Sequence, residues 1–361
     1  MKAKIRIIVL ALAAALCATA LVGCSRKNES ADVHVFYYTY SDPYISTVRS
    51  SLDKALEGAG ISYQDHDSNN NQTTQTEQVQ TAITKGAKLL VVNIVTTGSD
   101  DAASGIVKLA KDAGIPVIFF NREVSDGVVK SYDDCVFIGT DASEAGKLQG
   151  NMIGDYIVKN YDAVDLNGDG EISYVMFMGE KGNNEAIYRT KYSVENANAK
   201  LAAAGKKALK FYDPSNTDKY LLDREGKWSA QAANEYMTTI LSSHSTASKN
   251  MVELIICNND GMAEGAISAL SAAGYNTGKE GATYIPVFGV DATSAAKELI
   301  KDRKMTGTIK QDADGMAKAI LKCAQNALGE KDLLDGMSDY NIDAEVDKVR
   351  IAYAVYLGED G

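Results

Sequence analysis

The stretch Asp165-Leu166-Asn167-Gly168-Asp169-Gly170-Glu171-Ile172-Ser173 carries oxygen-bearing side chains at a spacing that suits a hard cation. Asp165, Asn167 and Asp169 fall at positions 1, 3 and 5 of an EF-hand loop, with Gly170 at position 6. Such a loop normally closes with a bidentate Glu at position 12 and a following helix. Here position 12 is Met176, inside an apolar run from Ile172 to Met178 that predicts a strand. A calcium ion held here would need its last carboxylate from a distant part of the chain. The other reading is a polar turn, because Asn-Gly and Asp-Gly are ordinary turn dipeptides.

A second group of polar residues closes the apolar segments: Tyr40-Ser41-Asp42, Asn93, Asn121-Arg122, Gly179-Glu180, Asn258-Asn259-Asp260, Asp291 and Gln311-Asp312. Amides and carboxylates with aromatics nearby suit a neutral, polyhydroxylated ligand, offering planar donors and acceptors beside flat apolar faces. Any one of them could simply cap a helix. Their recurrence at strand ends matters because ligands of open parallel sheets sit beyond the carboxyl ends of the strands.

The elements that must position these residues alternate. Strands are predicted at Val33–Tyr40, Ser62–His66, Leu89–Ile94, Val117–Asn121, Val136–Gly139, Ile172–Met178, Leu209–Tyr212, Leu254–Asn258, Ile285–Val290, Gly307–Lys310 and Arg350–Tyr356. Helices fill most gaps, among them Ser46–Gly58, Gln75–Lys85, Ser99–Ala113, Glu144–Lys159, Gln231–Ser242 and Ala263–Ala272. This alternation predicts an α/β protein with doubly wound parallel sheets, and the length predicts two lobes.

The first residues form a processing signal: Lys2, Lys4 and Arg6, an apolar run from Ile7 to Val22, then Leu21-Val22-Gly23-Cys24. That ending is the pattern of a bacterial lipoprotein leader, with Cys24 the lipidated first residue of the mature chain. The apolar run is short for a transmembrane anchor. Residues 1–23 are thus a signal peptide and 24–31 a tether. Removing the leader takes three positive charges, leaving 34 Lys and Arg against 48 Asp and Glu, a net charge of −14. Such acidity argues against nucleic acid as a partner. Cys135, Cys257 and Cys323 lie in or beside apolar segments and read as buried free thiols. His34, His66 and His244 have no metal-site spacing, and there is no P-loop or nucleophile-elbow motif. No enzymatic activity is expected.

These segments resemble the galactose/glucose-binding proteins of bacterial sugar ABC importers, within the type I periplasmic-binding-protein superfamily. The resemblance runs from about Val33 to the end. It rests on Tyr38–Tyr44, Val117–Glu123, Phe137–Asp141, Asp165–Ser173, Ile256–Met262 and Pro286–Ala292. It implies two doubly wound lobes joined by a three-segment hinge: residues 32–140 with 312–349, and 141–311 with 350–361. It also implies a pyranose sandwiched between Tyr44 and Trp228, the only Trp in the chain, with hydroxyls held by Asp42, Asn121, Arg189, Asn259 and Asp291. Because Trp228 follows the polar run 223–227, full burial is not expected. Asn183, Glu185 and Gln311 depart from the family's usual residues, so the preferred epimer is open. For calcium, the resemblance supplies Glu253 as the distant carboxylate, joining Asp165, Asn167, Asp169, the Glu171 carbonyl and Ser173. The implied function is a monomeric, lipid-anchored, extracytoplasmic receptor that passes galactose or glucose to an ABC permease. Alternatives are a sensing role beside a chemoreceptor or kinase, and a different neutral monosaccharide.

Overall fold

The structure, a computed structural model, describes residues 31–358. Cys24 and the leader lie outside the described residues. In chain order the elements are β1 (Val33–Tyr37), α1 (Pro43–Gly58), β2 (Tyr63–Asp67), α2 (Gln72–Thr84), β3 (Leu89–Val92), α3 (Asp101–Ala113), β4 (Val117–Phe120), α4 (Asp126–Val129) and β5 (Cys135–Gly139). Then follow α5 (Ala142–Val164), β6 (Ser173–Met178), α6 (Asn184–Ala203), β7 (Lys210–Phe211), β8 (Leu221–Leu222), α7 (Ala230–Leu241), β9 (Leu254–Cys257) and α8 (Asp260–Ala272). The chain closes with β10 (Val287–Asp291), α9 (Ser294–Lys301), β11 (Gly307–Gln311), α10 (Ala313–Leu328), β12 (Asn341–Asp343), β13 (Lys348–Arg350) and β14 (Tyr353–Tyr356).

Two separate sheets form. The first has the order β12-β13-β5-β4-β3-β1-β2, and the second runs β14-β11-β10-β9-β6-β7, with β8 also pairing β6. Apart from the antiparallel edge strands β12 and β14, all pairings are parallel. Central strands such as Leu-Leu-Val-Val and Val-Ile-Phe-Phe are wholly buried, as continuous apolar runs must be when helices cover both faces. Each sheet accordingly has a core on either side.

The chain passes between the sheets three times: after β5, after β11 and between β13 and β14. The last passage differs from expectation. The predicted strand Arg350–Tyr356 is two strands: Arg350 pairs with Gly139 in the first sheet, and Tyr353 pairs with Gln311 in the second. The division therefore falls at Ile351–Ala352, so Arg350 belongs with the first lobe rather than the second. Among the described residues no helix is long and apolar enough to cross a membrane.

One packing feature places the chemistry. Gly146, Gly150 and Gly154 recur every fourth residue on α5 and lie against α6. A Cβ on them would stand 2.5 Å from the Tyr188 carbonyl, 2.6 Å from the Tyr192 carbonyl and 2.5 Å from the Lys200 Cβ. The two helices thus touch at backbone distance, which fixes α6, the carrier of the residues described next.

Candidate functional site

All ten residues named from sequence for the cleft line one cavity. Asp42, Tyr44 and Asn121 come from the first lobe; Asn183, Glu185, Arg189, Trp228, Asn259 and Asp291 from the second; Gln311 ends β11 at a crossing. Tyr38, Ile45 and Arg122 complete the lining. Several of these residues do cap helices, yet capping uses only part of each side chain. The Asp42 Oδ1 accepts the Ile45 N–H at 2.8 Å, and its Oδ2 accepts the Tyr38 hydroxyl at 2.6 Å. Asn183 and Asn259 cap α6 and α8 through Oδ1. Asn121 has φ of 61° and Asp291 has φ of 125°, backbone conformations in which non-glycine residues are strained and which cluster at functional sites.

Arg189 sits at the centre, 3 % exposed. It donates to the Asn258 carbonyl at 2.9 Å, the Gln311 Oε1 at 3.2 Å and the Tyr353 hydroxyl at 3.0 Å. Asp291 stands 3.9 Å away. The Tyr353 hydroxyl also bonds Thr140 Oγ1 at 2.7 Å. Thr140, Gln311 and Tyr353 lie at the three crossings, so one guanidinium in the cavity is tied to every strand of the hinge.

Several buried polar atoms here have no partner: the Tyr44 hydroxyl, both Glu185 carboxylate oxygens, Arg189 Nε and Gln311 Nε2. Unpaired groups in a dry interior are costly. Burial raises the pKa values of Glu185 and Asp291, opposed in both by the Arg189 charge. The wall is therefore supplied with both donors and acceptors.

Trp228 corrects one expectation, because only 9 % of it is exposed. The polar run before it does not hold it in solvent. Asp223 ties that run into a turn, accepting from Glu225 N at 3.0 Å and Ser229 N at 2.9 Å. With φ of 56°, Trp228 then turns its ring inward. The indole lies on Gly179, where a Cβ would come within 2.1 Å, and beside Met178 and Ala186, while still lining the cavity.

At the other candidate site, Glu253 reaches the loop as the resemblance implies. Its Oε1 accepts from Asn167 N at 2.9 Å, and its Oε2 accepts from Ser173 N at 2.8 Å and Ser173 Oγ at 2.9 Å. Asp165 accepts from the backbone of Gly168, Asp169 and Gly170, and Asp169 from Glu171. The Glu171 side chain turns outward to Lys207 and Lys210, leaving only its carbonyl for the loop. Among the described residues no three His, Cys, Asp or Glu side chains converge as a metal cluster. The donor set is nonetheless all oxygen, the buried Asn167 Oδ1 has no partner, and burial raises the Glu253 pKa. These features fit a calcium ion.

Residues that sequence reasoning did not single out include Tyr38 and Ile45 in the lining and Tyr353 at the hinge, while Arg122 in the lining and Glu180 beside Trp228 were given no individual role. Arg122 and Glu180 stood among the strand-end residues, which was the available signal.

Comparison with known proteins gives concordant results. The periplasmic binding protein domain matches residues 33–332. The D-galactose/methyl-galactoside binding periplasmic protein MglB of Haemophilus influenzae is 35% identical over 318 residues, 87% of each chain. The ribose import binding protein RbsB of Escherichia coli is 26% identical over 88% of this chain and 91% of that protein. Among solved structures, an ABC transporter solute binding protein from Clostridium phytofermentans with bound beta-D-glucose aligns with a TM-score of 0.69 at 22% identity, covering 90% of this chain and 93% of that one. A Bacillus halodurans solute binding protein with bound myo-inositol gives 0.67 at 24%, over 92% and 96%. Both structural likenesses show the fold.

Proposed function

This chain belongs to the periplasmic binding protein domain family, and on that premise we propose that it is the substrate-binding receptor of a sugar ABC transporter. Its ligand is a neutral hexose of the galactose or glucose type, held between the lobes and delivered to a membrane permease. The observation that carries this reading is the cavity wall: two aromatic residues, Tyr44 and Trp228, stand in one space with unpaired, buried hydrogen-bonding atoms. Flat rings suit the C–H faces of a pyranose, and the unpaired atoms suit its hydroxyls. Asp42, Asn121, Asn183, Glu185, Arg189, Asn259, Asp291 and Gln311 would hold the rim.

Closure is a hinge motion, because the ligand touches both lobes only when they meet. A calcium ion held by Asp165, Asn167, Asp169, the Glu171 carbonyl, Ser173 and Glu253 would pin β6 to the segment before β9, a stabilising role. Lipidation of Cys24 would anchor the receptor on the outer side of the cell membrane.

A melting-temperature screen of D-galactose, D-glucose and other monosaccharides, with and without a calcium chelator, tests these points together. Galactose or glucose is expected to raise the melting temperature, and the chelator to lower it with or without sugar. Trp228→Ala and Asp291→Ala should each lose the sugar response while staying folded. The Glu185 and Gln311 departures favour a second outcome, a larger shift with another neutral monosaccharide. No shift with any sugar would defeat the assignment.

A further inference from the structure

Glu180 follows β6 in the second lobe, yet most of its partners lie across the cleft. Its carboxylate forms an ion pair with Arg122, which follows β4 in the first lobe. Its Oε1 accepts from Thr97 Oγ1 at 3.1 Å, again from the first lobe. Its Oε2 accepts from the Trp228 Nε1 at 3.4 Å. Thr97 in turn accepts from Asn183 Nδ2 at 3.3 Å. The Arg122 guanidinium lies 4.3 Å above the Tyr38 ring, whose hydroxyl bonds Asp42. The pair is largely dry, with side-chain exposures of 6% for Arg122 and 19% for Glu180.

We propose that Glu180 is a positioning residue that latches the lobes and sets the indole in one act. Its contacts to Arg122 and Thr97 exist only when the lobes meet. Its contact to Trp228 belongs to one lobe, so it transmits lobe position to the ring that stacks on the ligand. Glu180 does this without lining the cavity, whereas Arg122 is also part of the cavity wall, so the Glu180 variants separate the latch from ligand contact. A charge-assisted pair in a partly dry setting is stronger than its neutral counterpart, and it adds to closure without adding to ligand contact.

The proposal deepens the sugar-binding reading and rests on it. Trp228 is the only Trp in the chain, so intrinsic fluorescence reports this ring and no other. The test measures D-galactose affinity and Trp228 emission in the full protein for wild type, Arg122→Gln, Glu180→Gln, the double variant and Glu180→Ala. Each single Gln variant should weaken D-galactose by roughly tenfold, and the double should be no weaker than either, since both remove one interaction.

Glu180→Gln keeps an acceptor for Nε1, so its emission should stay closer to wild type than that of Glu180→Ala. Arg122→Gln should also shift the emission, because an effect from the other lobe reaches the indole only through the closed contact. Additive losses of affinity, or Arg122→Gln emission superimposable on wild type with and without sugar, would overturn the latch. If D-galactose does not bind, the same measurements use the monosaccharide that most raises the melting temperature; a wild type that binds no monosaccharide defeats the sugar reading, whereas one that binds but shows additive losses defeats the latch alone.

Discussion

Asp65 on β2 and Asp53 on α1 form a pair of carboxyls outside the cleft that hydrogen-bond to each other when one is protonated, near the unpartnered hydroxyl of Tyr37. Burial, then the charge of Asp53, pushes the Asp65 pKa up to about 8. A carboxyl whose folded value exceeds its unfolded value favours folding when protonated. That contribution is complete below the unfolded value of about 3.9 and is lost as pH rises towards 8. Asp65→Asn should therefore melt above wild type near pH 8, with the gap closing near pH 4; an equal gap at both would show that the pair does not titrate as described. At this scale the cleft was largely readable from sequence. Asp42, Asn259 and Asp291 end apolar strands, and strand ends in parallel sheets face the ligand side. Glu180 was named only as a strand-end residue and Tyr353 not at all, because their roles depend on partners in the opposite lobe or at the hinge, which no local spacing encodes.

The contact between α5 and α6 rests on glycines at Gly146, Gly150 and Gly154, and α6 carries Glu185 and Arg189, with Asn183 at its cap. Gly150→Ala would place a methyl 2.6 Å from the Tyr192 carbonyl and 2.7 Å from the Ser193 carbonyl. The expected result is a loss of about 1–3 kcal/mol from overpacking, seen as a lower melting temperature. A weaker sugar response should accompany it, because the helix moves as a unit. Unchanged affinity with lowered stability would show that α6 is positioned by other contacts. Strands of four residues or more and six of the helices were legible from apolar runs and periodicity, whereas α4, α6, α9 and α10 were covered only by the expectation that helices fill most gaps. Leu221–Leu222 and Asn341–Asp343 were not, being too short to show alternation. Arg350–Tyr356 read as one strand because hydrophobicity records burial and not the sheet to which a residue belongs.

For the whole molecule, the cavity is built from both lobes and the hinge meets it at Arg189. Sugar should therefore contract the protein, measured as a smaller radius in small-angle scattering, and Trp228→Ala should keep the larger radius at the same sugar concentration. Contraction of that variant to the wild-type radius would show that the indole is not needed for closure. Two lobes were legible from length and alternation, and the three crossings from the resemblance. The exact place of the last crossing was settled by which strand each residue pairs with.

The split between β13 and β14 also governs how the polypeptide is made. A ribosome releases residues 142–311 as an uninterrupted stretch holding every strand of the second sheet but β14. The first sheet waits longer: β5, the apolar run Cys-Val-Phe-Ile-Gly, has one edge open until β13 emerges, after the whole of 142–311. Lys348 then seals that edge, buried against Glu123 and Asp126. Nascent or truncated chains that stop before Lys348 present a bare hydrophobic strand to their neighbours, which makes them clients for chaperones and candidates for aggregation.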